Sequence, residues 1–452
     1  MELTPTITTE QNQLKNNNKQ SLRRPIIHVF TGFRALACLW VFIEHCGLKD
    51  MDELVALNIK WVGYAGEAGV AVFFCLSGFI MVWNYGDCEF KSARCYWSFI
   101  GRRASRLFPL YYFSLLLSIY NIRCVWSEGM SCTVSNWIYI LSTLLIITTW
   151  IPYVFNVERW NFVTWSVQTE WFFYLTFPFL IRLIRYLLNT TQISLLSHVE
   201  NKKKTLKRLY LMWCVVLCIS TIFLLIRLIL HDDLTVSLTH RQTNMIYIFP
   251  ITRIPEFILG MITGIIFMLN ASSDYYIDGS ETNVATALLS NNNDQQQAQK
   301  MSSSKVNILN YNYNCLIFDI CFALQIFFFI IILSPLLFID LMHTKYRYII
   351  GFGPLPSIIV CIDLYFSAKY THSITSRLLT TSLMIDMGEI SYAFYCLVET
   401  LPIVYLSISG ITEKSAIMRF FAGIGIAVFA RHYIEVPFYT WANRKLPKCR
   451  CL

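Results

Sequence analysis

The sequence predicts an all-α fold: a polytopic membrane bundle of about ten transmembrane helices with one re-entrant or interfacial segment. Three observations predict this fold. Hydrophobic residues make up 55% of the 452-residue chain and charged residues only 14%, too few to cover a soluble protein of this size. Long apolar runs recur along the chain. Basic clusters stand at the ends of these runs, where the cytoplasmic anchors of a membrane protein belong.

Ten apolar runs are long enough to cross a bilayer as helices. They lie near residues 28–47, 69–86, 104–122, 163–187, 209–230, 245–269, 315–340, 348–366, 385–408 and 415–438. An eleventh run, 136–151, is short for a crossing. If it crossed, the basic clusters at 202–208 and 444–450 would lie outside the cytoplasm. We therefore predict that 136–151 enters the membrane and returns on the outer side, which leaves both termini cytoplasmic.

The segments outside these runs are polar. Residues 1–26 are predicted to be a disordered cytoplasmic tail, and residues 441–452 a basic one. Residues 271–307 are rich in Asn, Gln and Ser and are predicted to be a disordered cytoplasmic linker within the transmembrane domain, 27–440. The net charge of +9 gathers beside apolar runs, so membrane lipids, and not nucleic acid, are the predicted partners. The spacing of the Cys and His residues predicts no metal site.

The first apolar run carries ionisable residues, among them Arg34 and His45. Eleven positions separate these two, which on a helix returns close to the same face at a distance of roughly 16 Å. Ionisable side chains are costly in lipid, so their presence indicates a functional site. The alternative is that Arg34 reaches the inner membrane surface and His45 the outer one, with no chemical role.

Two further pairs of polar residues share a helix face by their spacing. Arg103 and Arg106 lie three apart at the predicted cytoplasmic mouth of the bundle, where topological anchoring is the alternative role. Ser166 and Glu170 lie four apart at the predicted outer end of another helix. We expect this second pair to lie at about the depth of His45.

Arg253 and Glu256 lie three apart inside the run 245–269. On a helix, two such side chains can neutralise each other within the membrane. We predict a structural ion pair, with lining of a functional site as the alternative.

Five segments, in this order along the chain, resemble the acyltransferase-3 family of integral-membrane O-acyltransferases. They are Arg34-x10-His45, 69–79 (GVAVFFCLSGF), 102–111 (RRASRLFPLY), 165–174 (WSVQTEWFFY) and 253–260 (RIPEFILG). Weaker matches cover 388–392 and 434–438. Family members often carry a His shortly after the Ser-Tyr-x-x-Tyr run, but 391–399 contains none. This departure puts any contribution of that helix in doubt.

The resemblance implies transfer of an acyl group, often acetyl, from a cytoplasmic thioester to a hydroxyl on the far side of the membrane. Carbohydrates are common acceptors in the family, and a lipid or small molecule would also fit. Acyl-CoA is the implied donor, and its phosphates suit the guanidinium groups of Arg34, Arg103 and Arg106.

The resemblance gives the outer residues compatible roles. His45 would remove the proton of the acceptor hydroxyl, or carry the acyl group itself. Glu170 would orient the imidazole as the acid does in catalytic triads. Ser166 would face the same site, although no nucleophile-elbow pattern surrounds it. The rival hypothesis is a transporter or lipid-handling protein of the same fold, in which buried charges mark a translocation path.

Overall fold

The computed structural model describes residues 24–45, 66–119, 122, 134–151, 160–194, 196, 202–232, 247–270, 313–327, 353–397, 400 and 416–447. Every regular element in these ranges is helical, which confirms the predicted all-α class. The helices are α1 (Val29–His45), α2 (Gly66–Tyr85), α3 (Ala93–Leu117), α4 (Val134–Leu144), α5 (Thr164–Leu188), α6 (Lys202–Asp232), α7 (Pro250–Asn270), α8 (Tyr313–Phe327), α9 (Pro354–Lys369), α10 (Ile374–Leu379), α11 (Ser382–Leu397), α12 (Ala416–Ala430) and α13 (Val436–Lys445). A 3-10 turn covers Thr148–Trp150 and a π-helical turn covers Arg431–Glu435.

Four of these helices, α2, α5, α6 and α7, are long and apolar enough to cross a membrane. Their bounds agree with four of the predicted runs, and the chain is an integral membrane protein. The count of ten spans stays a prediction, because several runs extend past the described residues, as beyond Phe327 and Leu397. The linker 271–307 and most of the N-terminal tail also lie outside the described residues.

Helices α2 and α7 pack backbone against backbone. A Cβ added at Gly78 would lie 2.0 Å from the carbonyl oxygen of Phe257, and one added at Gly260 would lie 1.9 Å from that of Cys75. No side chain fits at either position, so these glycines set the helix separation. The pairing runs parallel, since Cys75 meets Gly260 while Phe79, one turn on, lies against Gly264.

Helix α1 lies parallel to α11. Gly388 packs on the backbone of Thr31, and the Phe394 ring lies 5.3 Å from that of Phe42. This register places the last residue of α1, His45, beside the end of α11.

The segment predicted to be re-entrant contains α4 and the 3-10 turn. The backbone N–H of Trp160 donates to Tyr139 Oη (3.0 Å), and its Nε1 donates to the carbonyl oxygen of Leu115 (2.8 Å). Between these two points the chain reaches deeper, where the backbone N–H of Thr149 donates to Gln168 Oε1 (3.2 Å). Tyr139 and Trp160 therefore lie together at one end of α3. The re-entrant course stays a prediction, because residues 152–159 lie outside the described part of the chain.

The C-terminal helices continue further than the last predicted run. Helix α13 ends at Lys445, so the first residues of the predicted tail 441–452 are helical. Beyond it, the carbonyl oxygen of Pro447 accepts a hydrogen bond from Arg102 Nη1 at 2.6 Å. This contact fixes the end of α13 against the first half of α3.

Candidate functional site

Four charged side chains come together where α1, α3, α5 and the π-helical turn meet. Arg34 in α1 interacts electrostatically with Arg106 in α3 and with Glu170 in α5. Glu435, the last residue of the π-helical turn, interacts with both arginines. We call these residues the arginine–glutamate cluster: Arg34, Arg106, Glu170 and Glu435. The structure thus brings together three of the predicted site residues, Arg34, Arg106 and Glu170. It adds a fourth residue, Glu435.

Glu170 is held in place by hydrogen bonds from two helices. Its Oε1 accepts from Ser77 Oγ on α2 at 3.1 Å and from the Tyr174 hydroxyl one turn along α5. Two donors on one carboxylate oxygen restrict its orientation. Glu170 is therefore held in a fixed orientation beside Arg34.

Arg103 lies next to the cluster on the same helix as Arg106. Its guanidinium donates to Tyr85 Oη at 2.6 Å and lies 4.9 Å from the centre of that ring. It also lies 5.7 Å from the ring of Tyr174, which bonds Glu170. Arg103 is 8% exposed, and its Nε has no hydrogen-bond partner in the described part of the chain. Tyr174 thus links Arg103 to the cluster.

Ser166 lies one turn from Glu170 and takes part in a separate contact between α5 and α11. Its Oγ donates to the carbonyl oxygen of Val163 (3.0 Å) and lies 2.5 Å from Tyr395 Oη. Tyr395 Oη also donates to the Val163 carbonyl oxygen at 3.1 Å. The Ser166 hydroxyl is therefore engaged in contacts that hold the start of α5 against α11.

His45 is half-buried and belongs to a different layer from Glu170. Glu170 accepts from Ser77 and interacts with Arg34, which lies eleven residues before His45 on α1, so Glu170 does not lie at the depth of His45 that the sequence led us to expect. The physical reason is that Glu170 lies six residues into α5, and a helix advances about 9 Å over that length.

The layer of His45 contains another buried polar residue. Asn161 precedes α5, and its Nδ2 donates to the carbonyl oxygen of Cys396, near the end of α11, at 3.0 Å. Asn161 is 3% exposed, and its Oδ1 has no partner among the described residues. The register of α1 on α11 brings His45 to this level. An unused acceptor oxygen therefore lies at the level of His45 in the bundle.

The sequence did not identify several residues of the site. Ser77 and Tyr174 lie inside the motif segments 69–79 and 165–174, but nothing in their spacing indicated that both bond Glu170. Glu435 lies in the weak match 434–438, far from Arg34 in the sequence, and only its charge within an apolar surrounding marked it. Tyr395 belongs to the helix whose contribution was in doubt.

A family model described as an acyltransferase domain matches residues 27–430, most of the chain. The chain belongs to the acyltransferase-3 family. The matched region contains every predicted site residue, and Glu435 of this acyltransferase-3 protein lies just beyond its end. Among the residues that the structure describes, no three or more His, Cys, Asp or Glu side chains are grouped as metal ligands would be.

One curated relative is the acyltransferase MdmB of Streptomyces mycarofaciens. It is 31% identical to this acyltransferase-3 protein over 157 residues, which is 34% of this chain and 39% of MdmB. The chain thus spans about two fifths of the length of that relative. No solved structure gives a significant match.

Proposed function

We propose that this acyltransferase-3 protein transfers an acyl group, acetyl in the simplest case, from acyl-CoA to a hydroxyl of a carbohydrate, lipid or small-molecule acceptor. The arginine–glutamate cluster carries the proposal. Neither Arg34 nor Arg106 donates a hydrogen bond to another described residue, although both lie inside the bundle. Guanidinium groups with unused donors suit the phosphate oxygens of a coenzyme A donor.

The spacing of the two layers supports a donor that reaches from one to the other. Arg34 and His45 lie roughly 16 Å apart along α1, comparable with the reach of an extended pantetheine arm. Arg34, Arg103 and Arg106 would hold the phosphates while the thioester lies near His45. The basic clusters beside the apolar runs favour entry of the donor from the cytoplasm, with both termini on that side.

His45 is the group proposed to activate the acceptor. As a base, the imidazole removes the hydroxyl proton while the hydroxyl oxygen attacks the thioester carbonyl, and coenzyme A leaves as the thiol once it receives that proton. As a relay, the imidazole takes the acyl group first and passes it to the hydroxyl. Asn161 Oδ1 lies at the same level and can accept a hydrogen bond from the acceptor hydroxyl.

Glu170 takes a different role from the one that the sequence predicted. Because it lies beside Arg34 and Arg106, we assign it to the positioning of the two guanidinium groups. Its hydrogen bonds from Ser77 and Tyr174 hold the carboxylate in that place. Ser166 positions α5 against α11.

Replacement of His45 by Gln or Ala tests the proposal in the purified full-length chain. Release of coenzyme A from acetyl-CoA should fall by about 10²- to 10⁴-fold, the usual contribution of a general base. Unchanged turnover in a folded variant would remove His45 from the mechanism. Wild-type protein that neither releases coenzyme A nor becomes acylated would favour the transporter hypothesis.

The acceptor needs a separate experiment. Cells that contain the protein are compared by mass spectrometry with cells that lack it. An acyl-sized mass difference on one class of molecule, lost in the His45→Gln strain, identifies the acceptor. A difference that persists in that strain contradicts a catalytic role for His45.

A further inference from the structure

The two carboxylates of the arginine–glutamate cluster are held in different ways. Glu170 receives hydrogen bonds from Ser77 and Tyr174. Glu435 has a buried oxygen, Oε2, with no hydrogen-bond partner among the described residues. A buried carboxylate oxygen without a donor is unfavourable, so only the nearby arginines compensate for the burial of Glu435.

The backbone that carries Glu435 is unusual. Residues Arg431–Glu435 form a π-helical turn between α12 and α13. Such turns contain one extra residue and occur often at functional sites. Relaxation of this turn to α-helical geometry would shift the register by one residue and rotate Glu435 by roughly 100° about the helix axis.

Both ends of this stretch are anchored. Arg431 Nη2 pairs with Glu389 Oε2 of α11 at 2.6 Å, and Pro447, after α13, accepts from Arg102 of α3 at 2.6 Å. The flanking helices are thereby fixed to the bundle at both sides of the turn. Since a register shift would also rotate α13 relative to α12, these contacts oppose relaxation of the turn, and rotation of the Glu435 side chain is the motion that leaves the helices in place.

The charges of the cluster balance without a ligand. The two guanidinium groups carry two positive charges, and Glu170 and Glu435 carry two negative charges when ionised. A phosphate brings more charge and more acceptor oxygens than one carboxylate, so it can displace the more weakly held of the two. Glu435 is that carboxylate, because Glu170 keeps its hydrogen bonds.

We propose that Glu435 is a built-in counter-ion that occupies the donor phosphate site of the empty protein and is displaced when acyl-CoA binds. This inference rests on the proposed function, since it requires a phosphorylated donor at Arg34 and Arg106. Glu435 keeps two like charges together while the site is empty. It also competes with the donor, so it sets the affinity of the site for coenzyme A.

The test measures binding of coenzyme A, which is not turned over, to the full-length chain in lipid nanodiscs by isothermal titration calorimetry. Glu435→Gln removes the competing charge and should bind coenzyme A about tenfold more tightly. Glu435→Asp keeps the charge, and its affinity should stay within about twofold of wild type. Asp386→Asn is the matched control: it removes an exposed carboxylate of α11 that lies outside the cluster and should leave the affinity unchanged.

Glu435→Ala serves as a second charge-removing variant if Glu435→Gln elutes as aggregated protein, and the same increase is expected. Unchanged or weaker binding in a folded charge-removing variant overturns the inference, because Glu435 would then be neutral toward the donor or part of its binding site. An equal gain in Asp386→Asn also overturns it, since the effect would reflect net charge alone. Absence of coenzyme A binding in the wild type would instead remove the proposed donor.

Discussion

The molecule buries charge in two places, and they differ in how that charge is satisfied. In α7, Arg253 Nη2 lies 3.1 Å from Glu256 Oε2, with side chains 0% and 2% exposed. This confirms the structural ion pair predicted from their spacing. Both partners come from one helical turn, so each cancels the other's charge locally. The arginine–glutamate cluster instead draws its charges from three helices and the π-helical turn.

The side chains around the Arg253–Glu256 pair also differ from those around the arginine–glutamate cluster. The Arg253 guanidinium lies 4.9 Å from the ring centre of Tyr247, 5.3 Å from that of Phe74 and 5.8 Å from that of Trp165. These aromatic rings surround the guanidinium with apolar side chains. Arg34 and Arg106 keep unused donors and face a carboxylate held only by charge. Buried charge indicates a ligand site here when its partners come from different elements of the bundle.

The largest expected effect breaks the enclosed pair. Glu256→Gln leaves Arg253 charged and uncompensated in an apolar surrounding, so the free energy of unfolding should fall by about 3–5 kcal/mol. SDS-induced unfolding in mixed micelles, followed by tryptophan fluorescence, measures this change.

The double variant Arg253→Met with Glu256→Leu is the control for that loss. Replacement of both charges by apolar residues of similar size should recover most of the stability. Equal instability of the single and double variants would show that the side-chain shapes, and not the charges, hold this region together.

The next largest effect is expected for a substitution in the arginine–glutamate cluster, and it is an effect on activity. Arg34→Gln removes a phosphate-binding fork and should lower kcat/KM for acetyl-CoA by about 10²- to 10³-fold, as loss of a pre-organised donor does. The loss of stability should be smaller than in Glu256→Gln, because Arg106 still compensates the carboxylates of the cluster. Arg34→Lys should recover only part of the activity, since an ammonium lacks the planar fork.

Arg94→Gln is the matched control for Arg34→Gln, because Arg94 is exposed at the start of α3. Its kinetics should match the wild type. Similar losses in the two variants would mean that Arg34 contributes only to the overall charge of the protein.

The smallest expected effect concerns the contact between α5 and α11. Ser166→Ala removes the hydroxyl that lies 2.5 Å from Tyr395 Oη and should reduce stability by about 1 kcal/mol. Coenzyme A release should stay within about threefold of wild type. Tyr395→Phe should give a similar loss, and the double variant less than the sum, because the two residues share one contact. Abolished turnover in a stable Ser166→Ala protein would instead make this serine catalytic.

Apolar runs predicted helix positions well where the run is free of charge. The run predicted at 69–86, which contains no charged residue, is helix Gly66–Tyr85 in the structure. The run predicted at 104–122 begins instead at Ala93, because arginines within the first half of α3 interrupt its apolar character. Those arginines are buried through contacts with other elements, such as Arg103 with Tyr85 and Arg102 with Pro447. The hydropathy of neighbouring residues carries no information on contacts with distant elements.

The sequence alone determined the all-α class, the membrane location and the family, because apolar composition and local motifs act within single helices. It also placed Arg253 and Glu256 together, since their spacing on one helix is fixed by helix geometry. Only the tertiary structure decided that Glu170 faces Arg34 and that Glu435 joins them. Those pairings depend on which faces of distant helices meet. Close packing of the whole bundle sets these contacts, and no local pattern records them.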